Sequence, residues 1–84
     1  MNKDCTRESE MLRKARISMG YTQMDVAMII GIPIKAYQRF EYGERDIRNA
    51  SMKTGLAICA VLGIDPMLLV FGGGFNAMAV FRTE

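Results

Sequence analysis

The stretch from Gln23 to Gly43, QMDVAMIIGIPIKAYQRFEYG, restricts the fold more than any other part of this chain. It reads as two short helices joined at Gly31. Val26, Ala27 and Ile30 recur at helical spacing and share one face. Ala27 is small where two helices must cross closely. Gly31 ends the first helix, Ile32 points back toward the core, and Pro33 opens the second. Proline suits that first-turn position, where an amide donor is not needed. Tyr37 and Phe40 lie three apart and face inward, and Gly43 ends the helix. Ile34, Lys35, Gln38 and Arg39 are left facing outward.

Helical periodicity continues on both sides of this pair. A preceding helix starts near Thr6 to Ser9, where Thr6 and Ser9-Glu10 supply capping chemistry. Leu12, Ala15, Arg16 and Met19 recur at helical spacing. Gly20 stops the helix in a left-handed conformation that costs glycine little. Tyr21 then enters the core side, and Thr22 caps the next helix. After Gly43 comes a loop of mixed charge, Glu44 to Asn49. A fourth helix begins near Ser51 and carries Met52, Leu56, Cys59 and Leu62 inward. Gly55 weakens it by roughly 1 kcal/mol relative to Ala. Gly63 ends that helix, and Ile64 plugs the core. Asp65-Pro66 is an N-cap followed by a first-turn proline, which sets a short fifth helix over Met67 to Phe71.

The expected organisation is a flexible N-terminus (1–8), one helical domain (9–71), and a glycine break with an apolar tail (72–84). Gly72-Gly73-Gly74 interrupts the chain. The tail FNAMAVFRTE carries no helix-start signal. An added strand, an exchanged arm and a disordered end are all open readings for it.

Composition narrows the function. Eighty-four residues make one domain, and an apolar fraction of 50% supports a modest core. No apolar run approaches the ~20 residues of a membrane span. The N-terminus, MNKDCTRESE, is charged and polar, so no secretory signal peptide is expected. The two cysteines give no disulfide framework, and Cys59 reads as a buried reduced thiol. A cytoplasmic setting follows as the expectation. Residues 1–53 hold ten Lys/Arg against seven Asp/Glu, whereas residues 54–84 hold Arg82 against Asp65 and Glu84. This mild bias toward an anionic partner is far weaker than a basic arm. There is no histidine, no metal-ligand cluster and no phosphate-cradling glycine loop, because Gly72-Gly73-Gly74 lacks a following Lys-Ser/Thr. The expectation is a protein that is not an enzyme and uses no metal or other cofactor.

These features resemble the phage-repressor/Cro-type (Xre-type) helix-turn-helix DNA-binding family. The matching residues are LRKARISMGYTQ (Leu12 to Gln23), Val26-Ala27, Ile30-Gly31-Ile32, YQRFEYGER (Tyr37 to Arg45) and LGIDPMLL (Leu62 to Leu69). The resemblance covers roughly residues 9–71. It implies an all-α, five-helix lambda-repressor-like DNA-binding domain, with the helix-turn-helix at helices two and three.

The resemblance also assigns roles. Ile34, Lys35, Gln38 and Arg39 occupy positions that read bases in the major groove. Arg39 suits guanine O6 and N7, Gln38 suits adenine, and Ile34 offers apolar surface to a thymine methyl. Gln23, Tyr42 and Arg45 would hold backbone phosphates, setting register without reading sequence. Arg16 and Glu41 match a pair that forms an internal salt bridge in relatives. The implied function is a sequence-specific regulator of transcription, a repressor that binds a palindromic double-stranded DNA operator as a homodimer.

Two departures from the family pattern stand out. The segment between Gly43 and helix four is about three residues longer than in relatives, and would either reach further along the duplex or extend helix four. Met24, Met28 and Ile29 stand where relatives usually place charge. Met24 and Met28 lie one turn apart and form an exposed apolar ridge. With Phe75 and Phe81 of the tail, they make a candidate dimer or partner surface. That surface supports the alternative of an antitoxin or protein-interaction adaptor on the same fold.

Overall fold

The computed structural model describes residues 5–72 of the chain. Among the described residues are five α-helices and one 3-10 turn: α1 (Arg7–Met19), α2 (Gln23–Ile30), α3 (Ile34–Glu41), the 3-10 turn (Ile47–Asn49), α4 (Met52–Leu62) and α5 (Pro66–Phe71). Phe75 and Phe81, with the rest of the apolar tail, lie outside them.

Local chemistry explains where the helices start and stop. Thr6 and Ser9 cap α1 reciprocally: Ser9 N donates to Thr6 Oγ1 at 3.0 Å, and Thr6 N donates to Ser9 Oγ at 2.8 Å. Thr22 and Asp25 repeat the arrangement at α2, with Asp25 N on Thr22 Oγ1 at 3.0 Å. Each cap satisfies amides that the first turn leaves without partners. Pro33 occupies the N-cap position of α3 and makes no side-chain cap. Between α2 and α3, Gly31 adopts φ +87°. Only glycine takes that left-handed turn cheaply, and the turn lets α3 follow α2 directly.

The core gathers one side of every helix. Leu12, Val26, Ala27, Tyr37, Phe40, Ile58, Cys59, Leu62 and Leu69 are buried together. α2 packs on α3 and α4, while α1 packs on α3, α4 and α5. Burial pushes the Cys59 thiol up from its ordinary value, so it stays protonated as a small apolar filler.

Two expectations need correction here. Met52 and Leu56 do not face inward: they are 78% and 49% exposed, and the fully buried side chain is Ile58. Residues 58, 59 and 62 form the buried stripe, because positions three and four apart share a helix face. Met52 and Leu56 instead border an open apolar groove of about 410 Å³ between α4 and α5. The segment Glu44 to Asn49 is more than a loop. Its 3-10 turn buries Ile47, and Asp46 caps the turn by accepting from Arg48 N at 2.9 Å. α4 still begins at Met52, so the extra length does not extend it.

The N-terminal boundary also moves. α1 begins at Arg7, and Glu8 is buried rather than part of a loose arm. Its carboxylate meets Arg7 Nη2 at 3.0 Å and Arg48 Nη1 at 3.6 Å. Arg7 Nη2 also donates to the Leu69 carbonyl at 2.8 Å, which joins α1 to the last turn of α5. These contacts give the first turn of α1 its tertiary anchor.

The α4 correction has a measurable consequence. Ile58→Ala should cost about 2–5 kcal/mol of unfolding free energy, as a core deletion does. Met52→Ala should stay within about 0.5 kcal/mol, as an exposed change does. Urea denaturation of both variants checks this, and equal losses would overturn the register of α4.

Candidate nucleic-acid interface

The candidate interface is organised from beneath by one buried carboxylate. Glu41, the last residue of α3, is 3% exposed. Arg16 of α1 grips it with two bonds, Nε to Oε2 at 2.8 Å and Nη2 to Oε1 at 3.0 Å. Tyr37 OH donates to Oε2 at 2.6 Å, and Gln23 Nε2 donates to Oε1 at 2.9 Å. Arg16 Nη1 also reaches the Tyr21 carbonyl at 2.8 Å, so it pins the linker between α1 and α2. Among the described residues, every buried side-chain nitrogen and oxygen has a partner.

The electrostatics follow from this geometry. Burial pushes the Glu41 carboxyl up, but the hydrogen bonds from Arg16, Tyr37 and Gln23 outweigh it and hold the group below its ordinary range. The hydrogen bond to Glu41 raises Arg16 from an already high value. Burial, and then the bond to Glu41, push the Tyr37 hydroxyl up, so it remains a donor. The pair is therefore charged, bidentate and charge-assisted.

Above this layer the sequence-derived residues divide. Lys35 and Arg39 are exposed, one turn apart on α3. With Gln38, Tyr42 and Glu44 they line an open concavity of about 260 Å³. Gln38 is not a fully free reader, since its Nε2 donates to Gln23 Oε1 at 3.0 Å. Tyr42 OH approaches the same oxygen at 3.4 Å. Gln23 thus links the buried Glu41 to two groups on the surface. One of the two N–H groups of its amide is used on Glu41, and the other meets no acceptor among the described residues.

Ile34 does not stand outward as its sequence position suggested. It is half-buried and packs against the core, because residues 34, 37 and 41 share one helical face. Arg45 is exposed, with its guanidinium 5.5 Å from the centre of the Phe40 ring. Its backbone N, like that of Glu44, donates to the Arg39 carbonyl, which holds this turn against the end of α3. Arg48 pairs with Asp46 at 2.8 Å. On α2, Met24, Met28 and Ile29 are exposed, and Met28 is 72% so.

Nothing in the spacing of residues 23, 38 and 42 signals the hydrogen bonds from Gln38 and Tyr42 to Gln23, which join separate helices. Ile47 did carry a signal. It is the one large aliphatic residue in a charged segment, and Asp46 before it is a turn-forming residue.

A family model described as Helix-turn-helix matches residues 12–69 of the chain. No curated protein and no solved structure matches.

The Glu41 network predicts an acid-sensitive stability. Because the folded carboxyl sits below its ordinary value of 4.5, the unfolded chain binds the proton more readily. Its contribution is complete above that value and is lost as pH falls through the lower folded one. Glu41→Gln should therefore flatten the acid limb of a stability profile measured by denaturant titration across pH. Arg16→Met should cost about 3–5 kcal/mol at neutral pH, since it strands a buried charge. Arg16→Met combined with Glu41→Gln should recover part of that loss, and no recovery would overturn the pairing.

Proposed function

Because the chain belongs to the helix-turn-helix family of DNA-binding regulators, we propose that it is a sequence-specific repressor that lays α3 in the major groove of double-stranded DNA. One observation carries this reading. α3 buries Tyr37, Phe40 and Glu41 on one side and presents Lys35 and Arg39 on the other. Two exposed cations that pair with no carboxylate among the described residues suit an acceptor-rich groove. Arg39 would take guanine O6 and N7 with two bonds. Lys35 would reach a base or a phosphate. Gln38 would read adenine from a side chain already steadied by Gln23, and Ile34 would add an apolar edge at the helix base.

Gln23, Tyr42 and Arg45 would bind phosphates and set the register. Gln23 lies at the start of α2, where free amides and the helix dipole already favour an anion. The folded domain would span residues 9–71 together with the anchored first turn of α1, and the segment 72–84 would serve as an arm.

A single short helix covers few base pairs. We therefore infer a homodimer on a palindromic operator, with half-sites about 34–36 Å apart. The apolar surface of α5 supports this, with Leu68, Val70 and Phe71 exposed beside the groove toward α4.

A second reading has its own observation. The exposed Met24, Met28 and Ile29 of α2 lie off the base-reading face and fit a protein partner, as in an antitoxin or adaptor. Met28→Glu should leave DNA affinity intact while abolishing association with such a partner.

Selection from random duplexes tests the main reading. A palindromic motif should be enriched. Arg39→Ala should then lose about 1–3 kcal/mol at one base position of each half-site and relax preference there. If no sequence is enriched at low salt, the proposal fails.

A further inference from the structure

Beside the reading helix lies a second open cavity, of about 530 Å³, between α1 and the base of the helix pair. Arg13, Arg16, Glu10, Gln23, Glu41 and Tyr42 line it, and Cys5 stands at its edge. Most of this polar lining is already engaged. Arg16 and Glu41 neutralise each other at 2.8 Å, and one N–H of Gln23 is held by Glu41. Arg13 is different. It is exposed, and among the described residues it makes no ion pair and no side-chain hydrogen bond. It stands one turn before Arg16 on the same side of α1. The one other carboxylate on the cavity, Glu10, lies in the first turn of α1, where the helix dipole stabilises negative charge.

We propose that this cavity is a seat for a DNA backbone phosphate, with Arg13 as the cation that meets it. The ligand is a phosphodiester. Its oxygens would take charge-assisted bonds from the Arg13 guanidinium and the remaining N–H of Gln23. The seat rests on the DNA-binding reading above and extends the footprint from α3 across to α1. It adds affinity and register, and it carries no sequence information.

The test is a salt titration of binding to the selected duplex, read by fluorescence anisotropy, for the wild type, Arg13→Ala, Arg13→Lys and Glu10→Gln. Arg13→Ala should weaken binding equally on matched and mismatched duplexes. It should also reduce the slope of log K against log salt by about 0.9, one phosphate's worth. The advantage of the wild type then shrinks about 3.5-fold between about 50 and 200 mM salt. Arg13→Lys should keep the wild-type slope, and Glu10→Gln should tighten binding without changing base preference. Bound duplex should also slow maleimide labelling of Cys5. Tight wild-type binding with an unchanged slope in Arg13→Ala overturns the phosphate seat alone. A wild type that binds no duplex overturns the seat together with the function it rests on.

Discussion

A carboxylate with almost no access to water holds this domain in register. Glu41 receives two hydrogen bonds on each oxygen, from α1, from the start of α2 and from its own helix. Burying an ion is expensive unless such partners are complete, and the net gain over an apolar substitute is small. Its value lies in geometry. Apolar packing of α1, α2 and α3 would tolerate small slips, whereas a bidentate guanidinium and a 2.6 Å phenol bond fix one arrangement. The angle at which α3 leaves the core follows from that arrangement. So does the position of Gln23, which carries the order of the interior to Gln38 and Tyr42 at the surface.

Much of the fold was legible because its punctuation is local. Gly20, Gly31 and Gly63 end helices, and Thr6, Thr22 and Asp65 begin them, each through chemistry that involves near neighbours in sequence. The apolar stripe of α3 was readable for the same reason. What failed was the rotation of α4. Met52, Leu56, Ile58, Cys59 and Leu62 offer more than one apolar stripe, and tertiary packing chose between them. Ile34 shows the same ambiguity at a helix start, where a residue can serve either face.

The exposure of Lys35 and Arg39 was legible in the sequence, and the hydrogen bonding around them was less so. Lys35 and Arg39 stand where helical geometry puts them. The pairing of Arg16 with Glu41 entered through resemblance to a family, since a contact between residues 25 apart leaves no local trace. The link from Gln23 to Gln38 and Tyr42 had neither source. The anchoring of Glu8 by Arg7 and Arg48 likewise depends on the 3-10 turn coming close to α1, which the longer loop alone did not announce.

The different engagement of the residues on α3 bears on how such a domain could diverge. Lys35 and Arg39 are exposed, and among the described residues their side chains make no hydrogen bond or ion pair, so replacements there should leave folding nearly unchanged. Gln38 shares an oxygen with the chain of bonds that ends at Glu41, so replacing it disturbs the scaffold as well. Substitutions would therefore be tolerated first at positions 35 and 39. Position 38 would change last, or only together with Gln23. The hydrogen bond at 3.0 Å between two glutamines is thus a constraint on the order in which the outer face of α3 can change.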